Sequence, residues 1–121
     1  MEIIVAKNAG FCFGVERAVK MTLEQLENDK ENVYSYGPLI HNPQAVKSLE
    51  DKGLSTVDEF KTIDKGRMIV RSHGVGKATQ DSIKDQGLEL IDCTCPYVIA
   101  VHKKVNEYYS KGYDIVIVGD K

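Results

Sequence analysis

DQGLELIDCTCPYV, residues 85–98, passes in order through a helix stop, a short apolar run, a loop with two thiols and a helix start. Gly87 is the residue type that most readily takes the left-handed conformation closing a helix. Leu88–Ile91 then reads as a strand, and Pro96 suits a first helical position. The unit recurs along the chain: Asp51-Lys52-Gly53 precedes LSTV, Asp64-Lys65-Gly66 precedes RMIV, and Ser110-Lys111-Gly112 precedes YDIVIV. EIIVA (2–6) and NVYSY (32–36) are two further strand candidates.

Helical periods lie between these runs. Val15, Ala18, Val19, Thr22, Leu23 and Leu26 form an i, i+3, i+4 stripe. Asn42-Pro43 is a helix start, with Asn as cap and Pro behind it, and Ala45, Val46 and Leu49 mark the apolar face. Asp58 is placed to cap a short turn carrying Phe60 and Ile63. A helix over 77–86 is predicted to bury Ala78 and Ile83. In a last helix from Pro96, Val98, Val101, Val105 and Tyr108 share a face. Strands alternating with helices predict an α/β fold with a parallel sheet of βα units.

Composition bounds the function. Hydrophobic residues make up 42% and charged residues 28% of the 121, as in a globular chain. The net charge of -2 argues against a nucleic-acid role driven by bulk charge. No apolar run reaches membrane-spanning length, and Met-Glu-Ile-Ile is not a signal-peptide start. The expected setting is the cytoplasm, where cysteines signal burial, metal or catalysis more often than disulfides.

Ligands of open α/β sheets bind beyond the carboxyl ends of the strands. There the loops are KNAGFCFG with Cys12, PLIHN with His41, SHGVG with His73, and CTCP with Cys93 and Cys95. All three cysteines and two of the three histidines fall in such loops. The plainer reading of any one of them is packing or a structural hydrogen bond. Their common placement argues for a site. Gly10 and Gly14 around Cys12 allow close approach of a bulky ligand. Cys12 and Cys95 each stand before a helix start, whose partial positive charge favours thiolate. Cys93 has less claim to that field. His41, beside a helix cap, and His73, between backbone amides, suit an anion such as phosphate. His102, inside the last helix, reads as a partly buried structural histidine, and Tyr108-Tyr109 as packing. Glu16 and Arg17 read as a first-turn acid and a surface base, the latter able to assist an anion.

Several chemistries remain open on these residues. An iron–sulfur site needs three or four converging cysteines. Zinc and thiol-redox sites favour Cys-x-x-Cys, which is absent. A cysteine phosphatase would need a longer amide-lined loop followed by Arg. A non-catalytic α/β binding domain is the remaining alternative.

GFCFGVERAV, PLIHNPQAV, RSHGV and DCTCPYV together resemble, in order and spacing, the 4-hydroxy-3-methylbut-2-enyl diphosphate reductase (LytB) family. The resemblance spans the chain. It implies reduction of an allylic alcohol diphosphate to isopentenyl and dimethylallyl diphosphate, the last step of the methylerythritol phosphate route to isoprenoids. It also implies a [4Fe–4S] cluster on three cysteines, a three-lobed trefoil of α/β units, and ferredoxin or flavodoxin as electron donor. On the matching positions, Cys12 and Cys95 are cluster ligands, and His41 and His73 contact the substrate diphosphate. Cys93 stands where the family usually has Ala and is expected to be a bystander.

The family's chains are more than twice as long. The resemblance therefore implies an N-terminal fragment: a strand and ligand loop over 1–13, a first α/β domain over 14–95, and the start of a second over 96–121. The third cysteine, a further substrate histidine and the proton-relaying glutamate are expected beyond Lys121. The first strand would pair with the third unit. The fragment alone is expected to be inactive, with no catalytic residue of its own.

Overall fold

The chain folds as α1 (Phe13–Asn28), β1 (Val33–Tyr36), α2 (Pro43–Glu50), β2 (Ser55–Val57), β3 (Arg67–Val70), α3 (Lys77–Asp85), β4 (Glu89–Asp92) and α4 (Pro96–Ser110). This computed structural model describes residues 1–7, 9–28 and 32–119. The four strands form one parallel sheet in the order β2-β1-β3-β4. In its register Tyr34 lies against Ser55 on one side and Met68 on the other, and Met68 against Leu90.

Successive residues of a strand point to opposite faces, and the core divides accordingly. Val33 and Ile69 join Ala18 and Leu26 of α1 and Val46 and Leu49 of α2. Their neighbours Tyr34 and Met68 pack with Ile83 of α3, Phe60 and Leu88. Helices thus cover both faces. The central β3 is accordingly apolar without alternation, with Met68, Ile69 and Val70 all at 0% exposure.

Helix ends follow local chemistry. At the end of α3, Gly87 (φ +87°) donates its N–H to Lys84 O at 2.9 Å, and Leu88 donates to Ile83 O at 3.3 Å. The same i→i−5 bond closes α2 from Leu54 to Leu49 and α4 from Tyr113 to Tyr108, both at 3.1 Å. At the start of α2, Asn42 Oδ1 accepts from Ala45 N at 2.9 Å, with Pro43 in the first helical position. Asn42→Ala is expected to cost about 1 kcal/mol in urea unfolding. An unchanged midpoint would show that the cap contributes nothing.

Several expectations fail for lack of a partner. EIIVA and YDIVIV form no strand: residues 2–6 and 113–118 lie outside the sheet. Ile3, Ile4, Val5, Val116, Ile117 and Val118 are each at least 73% exposed. An apolar run supplies the capacity for a strand, but the ladder has to come from a neighbouring strand, and none of the described residues provides one. Asp120 and Lys121, the end of the expected last loop, lie outside the described residues.

The stripe of α4 exists but fully buries none of its members: Val98 and Val105 are half-buried, while Val101 and Tyr108 are exposed. Past β4 the helix has little surface to pack on. His102 is exposed, not partly buried. Tyr108 packs edge-on against Tyr113, with ring centroids 5.5 Å apart, and Tyr109 is exposed. Ala78 is exposed because only Ile83 of α3 turns to the core. Gly66 follows a turn rather than a helix. In the earlier turn that carries Phe60 and Ile63, Glu59, not Asp58, accepts the backbone N–H groups of Phe60 and Lys61, at 3.0 and 3.2 Å.

Candidate functional site

The loops after the strands are joined by backbone bonds that continue the ladder past the strand ends. Ser72 N donates to Leu39 O (3.2 Å), Cys93 N to Val70 O (3.1 Å) and Cys95 N to Ser72 O (2.8 Å). This zipping brings the His41, His73 and Cys95 loops to one sheet edge. The Cys12 segment reaches the same edge at the head of α1, without the strand expected before it.

Together they line a cavity of about 480 Å³. Cys12, His41, His73 and Cys95 all face it, among apolar walls that include Phe11, Val15, Ile40 and Val98. The two thiols stand in equivalent places. Cys12 O accepts the first bond of α1 from Glu16 N (2.9 Å), and Cys95 O that of α4 from Ile99 N (3.0 Å). Each cysteine therefore heads a long helix, where the field favours a negative ligand.

Gly14 is what lets the two helix heads meet. A Cβ there would lie 2.4 Å from Cys95 Sγ and 2.9 Å from Cys95 Cβ. The glycine makes room for a residue of the chain itself rather than for a bulky ligand. Gly10, by contrast, has nothing within 4 Å of such a position.

The thiol loop is braced on both sides. Asp92 Oδ1 accepts the backbone N–H of Thr94 (2.9 Å) and also its hydroxyl. Arg17 Nη1 donates to Thr94 O at 3.3 Å. Arg17 is thus half-buried and turned inward, not a plain surface base. Sequence reasoning missed the roles of Asp92 and Ser72. An Asp two residues before a Thr, able to form an Asx turn, was the one available signal.

Cys93 points away from the cavity into the core beside Ala18 and Ile69. Burial, helped by Asp92, pushes its thiol up to about 11, against the opposing influence of Arg17 and Thr22. His41 and His73 meet directly, Nε2 to Nε2 at 2.5 Å, with ring centroids 4.3 Å apart. Burial, then His41, then Arg71 lower the pKa of His73. Among the described residues no group of three or more His, Cys, Asp or Glu side chains converges as a metal site. The cavity offers two sulfur donors of the right kind for an iron–sulfur cluster, short of the usual three or four.

The description "LytB protein" belongs to the family whose model matches residues 3–121. The chain belongs to the LytB family. Its curated relatives include the 4-hydroxy-3-methylbut-2-enyl diphosphate reductase of Clostridioides difficile (strain 630), 50% identical over 99% of this chain and 43% of the relative. The enzyme of the same name from Caldanaerobacter subterraneus subsp. tengcongensis is 50% identical over all of this chain and 43% of its own length. A solved structure of (E)-4-hydroxy-3-methyl-but-2-enyl diphosphate reductase, described as the terminal enzyme of the non-mevalonate pathway, superposes with a TM-score of 0.84. It is 43% identical, and the match covers 98% of this chain and 42% of that one. The chain thus spans less than half the length of the relatives it matches. The four stretches that carry the LytB resemblance are the four that line the cavity. No described helix is long and apolar enough to cross a membrane.

Proposed function

We propose that this chain supplies part of the active site of a 4-hydroxy-3-methylbut-2-enyl diphosphate reductase. The observation that carries the reading is the convergence of Cys12, Cys95, His41 and His73 on one cavity in a chain of the LytB family. Two electrons and two protons replace the allylic hydroxyl by hydrogen and release water, yielding isopentenyl and dimethylallyl diphosphate. Ferredoxin or flavodoxin is the electron donor, and three unpaired cysteines suit a reducing cytoplasm.

Cys12 and Cys95 are two of the ligands of a [4Fe–4S] cluster, which supplies the electron-transfer chemistry when bound. A third ligand has to come from outside the described residues. Cys93, with its raised pKa and core position, is not a ligand. His41 and His73 hold the diphosphate by charge-assisted hydrogen bonds. The apolar walls face the allylic carbons and exclude water. Residues 14–95 act as the first α/β unit, and α4 opens a second, which its unburied surface supports.

Pyrophosphate titration followed by imidazole NMR tests this reading. His41 and His73 signals are expected to shift together, and the His41→Asn/His73→Asn double variant to bind at least about tenfold more weakly. A plain α/β binding domain predicts no response to pyrophosphate, and that result would overturn the proposal.

A further inference from the structure

His41 and His73 touch through Nε2 atoms 2.5 Å apart, with the rings at 79°. Two nitrogens in that contact hold one proton between them: one donates and the other accepts. The rings are not equivalent. His73 Nδ1 is buried and has no hydrogen-bond partner among the described residues, whereas His41 is exposed. A buried N–H without an acceptor is rarer and costlier than a bare lone pair. His73 therefore carries its proton on Nε2 and donates it, and His41 accepts on Nε2 and carries its own proton on Nδ1. A second proton on His73 would place an unpartnered N–H of an imidazolium in the buried position, near Arg71. The lowered pKa of His73 agrees.

Resting on the anion-binding reading above, we infer that the two histidines divide the work: His73 binds an anion as a neutral Nε2–H donor, and His41 takes up one proton as the anion arrives. An anion between the rings takes over the His73 Nε2–H and breaks the imidazole contact. His41 Nε2 then faces an oxygen lone pair instead of a donor and needs a proton of its own. Transfer from its Nδ1 would leave a neutral ring beside the anion, whereas uptake from solvent leaves an imidazolium, the stronger partner. Anion and proton bind together.

The neighbouring ionisable groups are compatible with this order. Cys12 and Cys95 share the cavity, and Glu50 of α2 shares an adjacent hollow with His41. Arg71, the first residue past β3, opposes a second charge on His73. From α4, His102 Cε1 lies 3.7 Å from where a Cβ on Gly74 would be.

Nitrogen-15 imidazole NMR on the 121-residue chain tests the inference, with sulfate as a probe that exchanges no protons near neutrality. Without anion, His73 is expected to show a protonated Nε2 and a bare Nδ1, and His41 the reverse. Saturating sulfate is expected to protonate both nitrogens of His41 and leave His73 unchanged. Sulfate affinity should then rise as the pH is lowered, by up to about tenfold per unit for one proton taken up. His41→Asn should flatten this slope, and His102→Asn should keep it. Sulfate binding with no slope, a slope surviving His41→Asn, or an imidazolium on His73 would overturn the inference and leave the anion site standing. A failure of both sulfate and pyrophosphate to bind at any pH would overturn the anion reading and proton uptake together.

Discussion

Gly14→Ala destabilises the fold by about 1–3 kcal/mol and moves Cys95 from the head of α4, although alanine favours helix over glycine by about 1 kcal/mol. The added methyl has no free volume. It would sit 2.4 Å from Cys95 Sγ and 2.9 Å from Cys95 Cβ, so rotation of the thiol alone does not relieve the overlap. Urea unfolding measures the loss. A double-mutant cycle with Cys95→Ala locates it, with an expected coupling of about 1–2 kcal/mol. A stabilised Gly14→Ala variant would mean that the two helix heads are not in contact. That contact sets the spacing of the two cavity thiols, so the same variant is expected to impair whatever Cys12 and Cys95 hold jointly.

The second large effect concerns Cys93. With its pKa at about 11, against an ordinary value of 9.0, it is almost entirely protonated at pH 8. Its thiolate fraction there is on the order of one in a thousand. In the native chain iodoacetamide should modify Cys12 and Cys95 and spare Cys93; all three should react in denaturant. The shift also links stability to pH. Below about pH 9 the thiol is protonated in both states and nothing changes. Between 9 and 11 the unfolded chain releases the proton while the folded chain retains it. Stability therefore falls with rising pH, by about 2–3 kcal/mol near pH 11. Cys93→Ala removes this part of the alkaline loss, and comparing the two pH curves isolates it from the tyrosines and lysines. Equal steepness of the two curves would show that Cys93 ionises as easily folded as unfolded.

Local signals read well from sequence because their physics is local. Asn42-Pro43 starts α2 through a bond spanning three residues, and Gly87 closes α3 within one turn. The period of α1 and the apolar run of β3 report burial that neighbouring elements do supply. EIIVA and YDIVIV carried the same apolar signal as β3 and failed, since whether a strand forms depends on a partner that composition does not reveal. Ala78 and the stripe of α4 failed for the related reason that an apolar face buries only against something.

The site divides in the same way. The residue types and their loops, Cys12, His41, His73 and Cys95 after the predicted strands, were legible because open α/β sheets gather ligands at one edge. The brace of Asp92, Thr94 and Arg17 was not, since it joins residues up to 77 positions apart. Two neighbouring thiols looked alike in CTCP, and only their side-chain directions separate them. Cys93 turns into the core beside Ala18 and Ile69. Cys95 heads α4 on the cavity, held there by Ser72 O and by the space left at Gly14. By itself the sequence determined the helices, their ends, the loop set and the family resemblance, because these rest on short-range periodicity and residue chemistry. The tertiary structure alone decided which apolar runs found partners, which thiol was buried and that the two imidazoles meet, because each depends on surfaces brought together from distant parts of the chain.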